Sequence, residues 1–162
     1  MSSDFRARKD ETRIKYFFGS HFESSATRYG IEMEPLARKK FEEITGYNVL
    51  EVGLIVRQGF DFFGGSADGV FLNENGEVCT FEAKCPEKCK DKNIDMDYLE
   101  KIQIPVENGH PRYTKIVLKK NHPYYTQCQL QMFVTQSKIA HFFVYSSVDY
   151  KHVVIDYDDK LC

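Results

Sequence analysis

Three charged residues near the middle of the chain have the types and spacing to hold a cation between them: Asp68, Glu82 and Lys84. Glu82 and Lys84 sit two apart in VCTFEAKC, an apolar, alternating stretch that reads as a β-strand, so they share one face of it. Asp68 closes the segment GGSADG (64–69) just ahead of a second strand candidate. The two candidates, 66–73 and 77–85, are separated by Glu74-Asn75-Gly76, and a three-residue loop ending in glycine suits a type I turn followed by a left-handed residue. That loop pairs Asn73 with Glu77 and, counting outward, sets Asp68 beside Glu82. A four-residue loop would shift the register by one and turn Asp68 to the opposite face. Two carboxylates and an ammonium on one patch of sheet repel and resist burial. A divalent ion such as Mg2+ resolves the conflict, because it takes hard oxygen ligands and keeps waters of its own. Such a water, deprotonated, can attack a phosphodiester while the ion offsets the developing charge. Lys84 would position or activate that water, or neutralise a phosphate oxygen. Taken alone, however, E-x-K on a strand is usually a surface charge pair, and only a wider context favours chemistry.

The surrounding elements must deliver this arrangement. Residues 24–46 read as a helix, with Leu36, Ala37, Phe41 and Ile44 at helical spacing and Thr45-Gly46 as its stop. Pro35 either kinks that helix or opens a new one in its first turn. Residues 49–57 (VLEVGLIVR) are a further strand candidate. Within 86–122 the expected elements are a short helix over 94–102, a loop through Asn108-Gly109 and a strand over 115–118. Pro123 starts a helix running to about Gln136, with His122 as its cap rather than a base. Tyr124, Gln127 and Gln131 fall on one side of this helix, beside a core stripe of Tyr125, Cys128 and Met132. Strands at 139–145 and 152–157, joined by a turn over 147–151, complete a mixed α/β layer fold. The whole chain is expected to be one domain: an aromatic-rich arm or helix over 1–23, and a core over 24–160.

The segments GGSADG (64–69), FEAKCP (81–86) and YYTQCQLQM (124–132), in that order, resemble the YqaJ-type, phage lambda exonuclease-like branch of the PD-(D/E)xK nucleases. YGIEMEPLARKKFEEITG (29–46) and HVVIDYDDK (152–160) extend the resemblance over roughly 29–160. Each motif alone is weak, but collinear together they are specific. The resemblance implies a restriction-endonuclease-like core, with a mixed central sheet flanked by helices. It also implies a Mg2+- or Mn2+-dependent deoxyribonuclease with one or two ions, attacking duplex DNA ends in recombination or repair. An endonuclease, a single-strand nuclease or an inactive DNA-binding module are the alternatives. By resemblance, Asp68, Glu82, the Ala83 carbonyl and Glu34 are metal ligands; Glu34, Asp68, Glu82, Lys84 and Gln127 form the catalytic set. From the residues alone, Glu34 reads as the ion-pair partner of Arg38 one turn on. DNA contacts are expected from Arg13, Arg38, Lys88, Lys90, Tyr124 and Gln131. Lys39, Lys40, Lys92, Lys115, Lys119 and Lys120 are further basic candidates that also read as solvated faces. Two departures bear on processivity. TRIKYFFGS (12–20) is at best a remnant of the terminal-phosphate-binding region, with Arg13 its phosphate ligand, and the chain stops at Cys162 where relatives continue into a helix.

Composition sets outer bounds. With 42% hydrophobic and 28% charged residues the chain is globular, and a net charge of -2 excludes a blanket of positive charge but not a local basic cleft. The polar start, MSSDFRARKDETR, is no signal peptide, and no run approaches the roughly 18 apolar residues of a membrane span. Five cysteines, an odd number, are expected to be reduced thiols in an intracellular protein. Cys79, Cys85 and Cys89 lack the paired spacing of a zinc site. DNA is the expected partner, no membrane is, and a monomer is compatible with the sequence.

Overall fold

The computed structural model describes residues 24–60, 64–95, 98 and 118–160. Arg13, the arm over 1–23, Lys115, the Asn108-Gly109 loop and most of the elements expected over 94–102 and 115–118 lie outside them.

Helix α1, Ser25–Thr45, opens on Ser24, whose hydroxyl accepts from the Thr27 N–H at 3.1 Å. It closes on Gly46 at φ 77°, whose N–H donates to Glu42 O at 2.8 Å. Pro35 lies inside the helix, which continues through it rather than restarting. Short strands β1 (Ile55–Val56) and β2 (Gly64–Gly65) pair with each other. The main sheet has four strands in chain order: β3 (Gly69–Leu72), β4 (Val78–Lys84), β5 (Ile139–Tyr145) and β6 (Tyr150–Asp156). The β3–β4 and β5–β6 pairs are antiparallel hairpins, whereas β4 and β5 run parallel, so the sheet is mixed. A parallel pair needs a long crossover. Here it includes helix α2, Pro123–Thr135, capped by His122 through its Nδ1, which accepts from the Tyr124 N–H.

Alternation along the strands divides the interior into two cores. Phe81, Ala83 and Phe143 point toward α1, packing with Ala37, Phe41 and Phe71. Ala140, Phe142 and Val144 point toward α2, packing with Tyr125, Cys128 and Met132. Glu82 belongs by position to the α2 face, so a carboxylate stands where a core apolar residue would otherwise be. His141 and His152 pair at 2.9 Å on the α1 side, edge-on to Phe41. No described helix is long and apolar enough to cross a membrane.

The 49–57 segment departs from the expected strand. Leu50 makes one bridge to Val70, with bonds of 2.8 and 2.9 Å, and regular pairing resumes only at Ile55. The reason is Gly69. The Val49–Leu50 backbone crosses directly over it, and a Cβ there would run into Val49 Cγ1 and approach Leu50 O to 3.0 Å. Chain 49–54 is therefore a strap over the start of β3, and of the expected strand Ile55–Val56 forms as β1. Gly69→Ala is expected to destabilise by about 1–3 kcal/mol, read as a lower urea midpoint with unchanged slope, because the strap must move. An unaltered midpoint would show that the crossing has slack. Strand β2 is not among the expected strands, and those of the main sheet differ from expectation only at their ends: β3 begins at Gly69, and β6 begins at Tyr150 because the turn occupies 146–149.

Candidate active site

The β3–β4 register follows the three-residue loop. Leu72 pairs with Val78 and Gly69 with Phe81; the Asn73 N–H donates to Glu77 O at 3.0 Å; Gly76 takes φ 76°. Asn73 reinforces the turn, its Oδ1 accepting from the N–H groups of Asn75 and Glu77. One step beyond Gly69, Asp68 lies level with Glu82. Its Oδ2 accepts from the Ala83 N–H at 2.8 Å, which fixes the carboxylate at the end of β4.

Glu82 is 2% exposed and held on all sides. Its Oε1 accepts from Lys84 Nζ and, at 2.7 Å, from Gln127 Nε2; its Oε2 accepts from Gln131 Nε2 at 2.6 Å. Lys84 Nζ also lies 4.9 Å from the centroid of the Tyr124 ring, a cation–π contact that aims the ammonium. Tyr124 is itself packed against His122 and Phe142. Glu34, from α1, faces the same place across a cleft of about 420 Å³ lined also by Asp68, Ala83, Lys84, Tyr98 and Tyr124.

The electrostatics report a shortage of positive charge. Burial, then the neighbouring Glu82, push the Asp68 carboxyl up to about 7, against the Ala83 N–H bond that favours its charged form. Burial likewise raises Glu34; Arg38 opposes this and Glu82 adds to it. Burial alone would lower Lys84, but its bond and attraction to Glu82 outweigh that and hold it above its ordinary value, so it stays an ammonium.

Among the described residues no three His, Cys, Asp or Glu side chains form a metal cage by themselves. A cation here would need backbone oxygen and water to complete its shell, which suits Mg2+ or Mn2+ better than zinc. The donor chemistry fits such an ion. Glu82 Oε2 accepts a single protein hydrogen bond and Asp68 Oδ1 none among the described residues. The Ala83 carbonyl lies on the strand between Glu82 and Lys84. Burial, with the neighbouring Glu82 adding to it, raises the Asp68 and Glu34 carboxyls, and a cation between them would offset both effects.

Several expected partners are arranged differently. Gln131 is 2% exposed and turned inward, donating also to Ser66 O at 2.9 Å, so it braces Glu82 and cannot touch DNA. Arg38 does not pair with Glu34; its guanidinium donates to Glu51 at 2.9 Å and to the Asp68 carbonyl at 3.4 Å, because the strap brings Glu51 over α1. Lys88 and Lys90 are exposed but rest over tyrosine rings, Lys88 over Tyr98 and Lys90 over Tyr29. Lys88 also meets Asp95 at 3.4 Å, Lys120 pairs with Asp158 and Lys40 with Glu43. Cleft-wall residues that the sequence did not single out include Gly30 and Tyr98, the latter in the stretch with the weakest periodicity. The free thiols Cys79, Cys85, Cys89 and Cys128 are all buried. Burial pushes those of Cys85 and Cys128 up to about 12, so neither is a nucleophile.

The fold of this chain, a mixed sheet with a helix on each face, is similar to that of several solved exonuclease structures. Of the LHK-Exo crystal structures, the dAMP complex matches with 28% identity and TM-score 0.62, over 91% of this chain and 66% of that one. The alkaline exonuclease LHK-Exo from Laribacter hongkongensis matches at 25% and 0.61, over 99% and 74%. A phage-related exonuclease from Haemophilus somnus 129PT shares the fold at 15% and 0.60, over 93% and 70%. The chain thus spans just under two thirds of the first of these. No curated protein matches it in sequence. Residues 2–138 match the YqaJ-like viral recombinase domain, and the chain belongs to that family.

Proposed function

We propose that this chain is a divalent-metal-dependent deoxyribonuclease that hydrolyses phosphodiester bonds at the ends of duplex DNA. The observation that carries the reading is the convergence of Asp68, Lys84 and Glu34 on one open cleft at the end of β4, with the buried Glu82 carboxylate directly behind Lys84. Family membership and the exonuclease names of the structural neighbours support it.

In this reading Asp68, Glu82, the Ala83 carbonyl and Glu34 hold Mg2+ or Mn2+. When bound, the ion supplies Lewis acidity and a lowered pKa for attacking water. The chain's own residues then have distinct tasks. Gln127 and Gln131 hold Glu82 in place by donating to both of its oxygens, so its buried side chain keeps its hydrogen-bond partners. Lys84 stays protonated beside Glu82, so it offsets negative charge on the phosphoryl oxygens rather than removing a proton from water. Tyr124 holds that ammonium at the cleft wall. Arg38 fastens the Asp68 backbone through its carbonyl. Lys88 and Lys90, on the rim after β4, are placed to meet the phosphate backbone of the entering strand.

The test is incubation with linear duplex, closed circular and single-stranded DNA, each with Mg2+, Mn2+ or EDTA. Loss of linear duplex alone, stopped by EDTA, is the expected result. Cutting of closed circles would make it an endonuclease, and binding without cleavage an inactive DNA-binding module.

A further inference from the structure

Glycine is the least favourable residue after proline in a helix interior, yet Gly30 stands in the sixth position of the 21-residue helix α1. Two ordinary reasons would explain it, a left-handed backbone or a neighbour packed too close for a Cβ. Among the described residues the glycines with positive φ are Gly46, Gly59 and Gly76, so the first fails for Gly30. Among the described residues the second fails as well: a Cβ built on Gly30 meets no heavy atom within 4 Å, whereas one on Gly65 would lie 3.1 Å from Val134 Cγ2. The space beside Gly30 is instead part of the cleft. Gly30 lines it one turn before Glu34 and on the same helix face, with Lys84 and Tyr124 also on its lining. Backbone laid bare on a binding surface is what a helix offers to a ligand that must approach closely.

We propose that Gly30 is a clearance position: its missing side chain lets the sugar–phosphate backbone of a nucleic-acid strand lie against α1 while a phosphate reaches the Lys84 side of the cleft beside Asp68. The inference rests on the nuclease reading above and deepens it, since it assigns the turn of α1 that precedes Glu34 to the strand. A side chain at residue 30 then costs affinity while strengthening the helix, an opposition that a packing role would not produce.

The experiment compares Gly30→Ala and Gly30→Leu with the unaltered protein on a linear duplex oligonucleotide in Mn2+. Gly30→Ala is expected to raise Tm by about 2–4 °C and KM several-fold. Gly30→Leu is expected to raise KM at least about tenfold, with kcat in both variants within about twofold, because uniform binding is lost rather than transition-state stabilisation. A lower Tm for the alanine variant would show that the glycine serves packing and overturn the proposal. So would an unchanged KM in the leucine variant, or a loss confined to kcat. Should the unaltered protein cleave no nucleic acid at all, the nuclease reading fails separately. Fluorescence anisotropy of the same oligonucleotide then reads the clearance directly. Weaker binding by Gly30→Leu, about tenfold, supports it, and equal binding overturns it.

Discussion

Lys84→Ala is expected to lower kcat on linear duplex DNA by about 10²–10³-fold, the usual cost of deleting one preorganised donor aimed at developing charge. Lys84 is fixed twice, by Glu82 and by the Tyr124 ring, so its ammonium is in place before substrate arrives. The substitution also affects folding, because Lys84 is the cationic partner of a carboxylate that is 2% exposed. Removing one partner of a fully buried pair costs about 3–5 kcal/mol. The Lys84 side chain is 22% exposed and Gln127 and Gln131 still donate to Glu82, so a loss on the order of 1–2 kcal/mol is expected, or a few degrees of Tm. Lys84→Arg restores charge without the compact ammonium, and partial recovery of Tm with little recovery of kcat would separate the two roles. Full activity in Lys84→Ala would remove Lys84 from the chemistry.

What the sequence disclosed and what it hid follow from the range of the forces involved. The β3–β4 register was legible because a local device sets it. Asn73, Gly76 and a three-residue loop specify which residues face each other, and the period of two carries that choice outward to Asp68 and Glu82. Strand β5 and both helices were legible for the same reason, since apolar spacing and the caps at Gly46 and His122 are local signals. Long-range contacts were not. Nothing near Val49 indicates that the chain must pass over Gly69, and nothing near Arg38 that Glu51 will be carried to it. Gln131 shows the limit most clearly. A polar residue on a helix reads as solvated, and its inward turn is decided by a buried carboxylate on a strand 49 residues away. The wheel placed it correctly on the side of Gln127; only the presence of Glu82 beneath makes that side an interior one.

Asp68→Asn is expected to make the metal-free protein more stable near pH 8 while abolishing both cleavage and the rise in Tm that Mn2+ gives the unaltered protein. Burial and Glu82 carry the Asp68 carboxyl from its ordinary 3.8 to about 7. Between those values the native state holds a proton that the unfolded chain has released, so stability declines as pH rises from about 4 and levels off above 7. The full displacement is worth at most about 4 kcal/mol. Screening through the open cleft reduces it to something on the order of 2 kcal/mol, or roughly 4–8 °C. Asparagine carries no charge and so escapes this penalty, though the amide must turn its oxygen toward the Ala83 N–H to keep that bond. His141 and His152 complicate the raw curve. Burial depresses both, His141 to about 4, and a depressed histidine makes stability fall as pH drops below about 6.5, opposite in slope to Asp68. Both histidines are present in either protein, so the difference in Tm between variant and unaltered chain cancels them. That difference should be small at pH 4 and grow to its full value by pH 7–8. A divalent ion favours the ionised carboxyl, so Mn2+ should raise the Tm of the unaltered chain more at pH 8 than at pH 5, by mass action. A variant that keeps the full Mn2+ response would place the ion elsewhere and leave Asp68 as a buried acid that merely caps the end of β4.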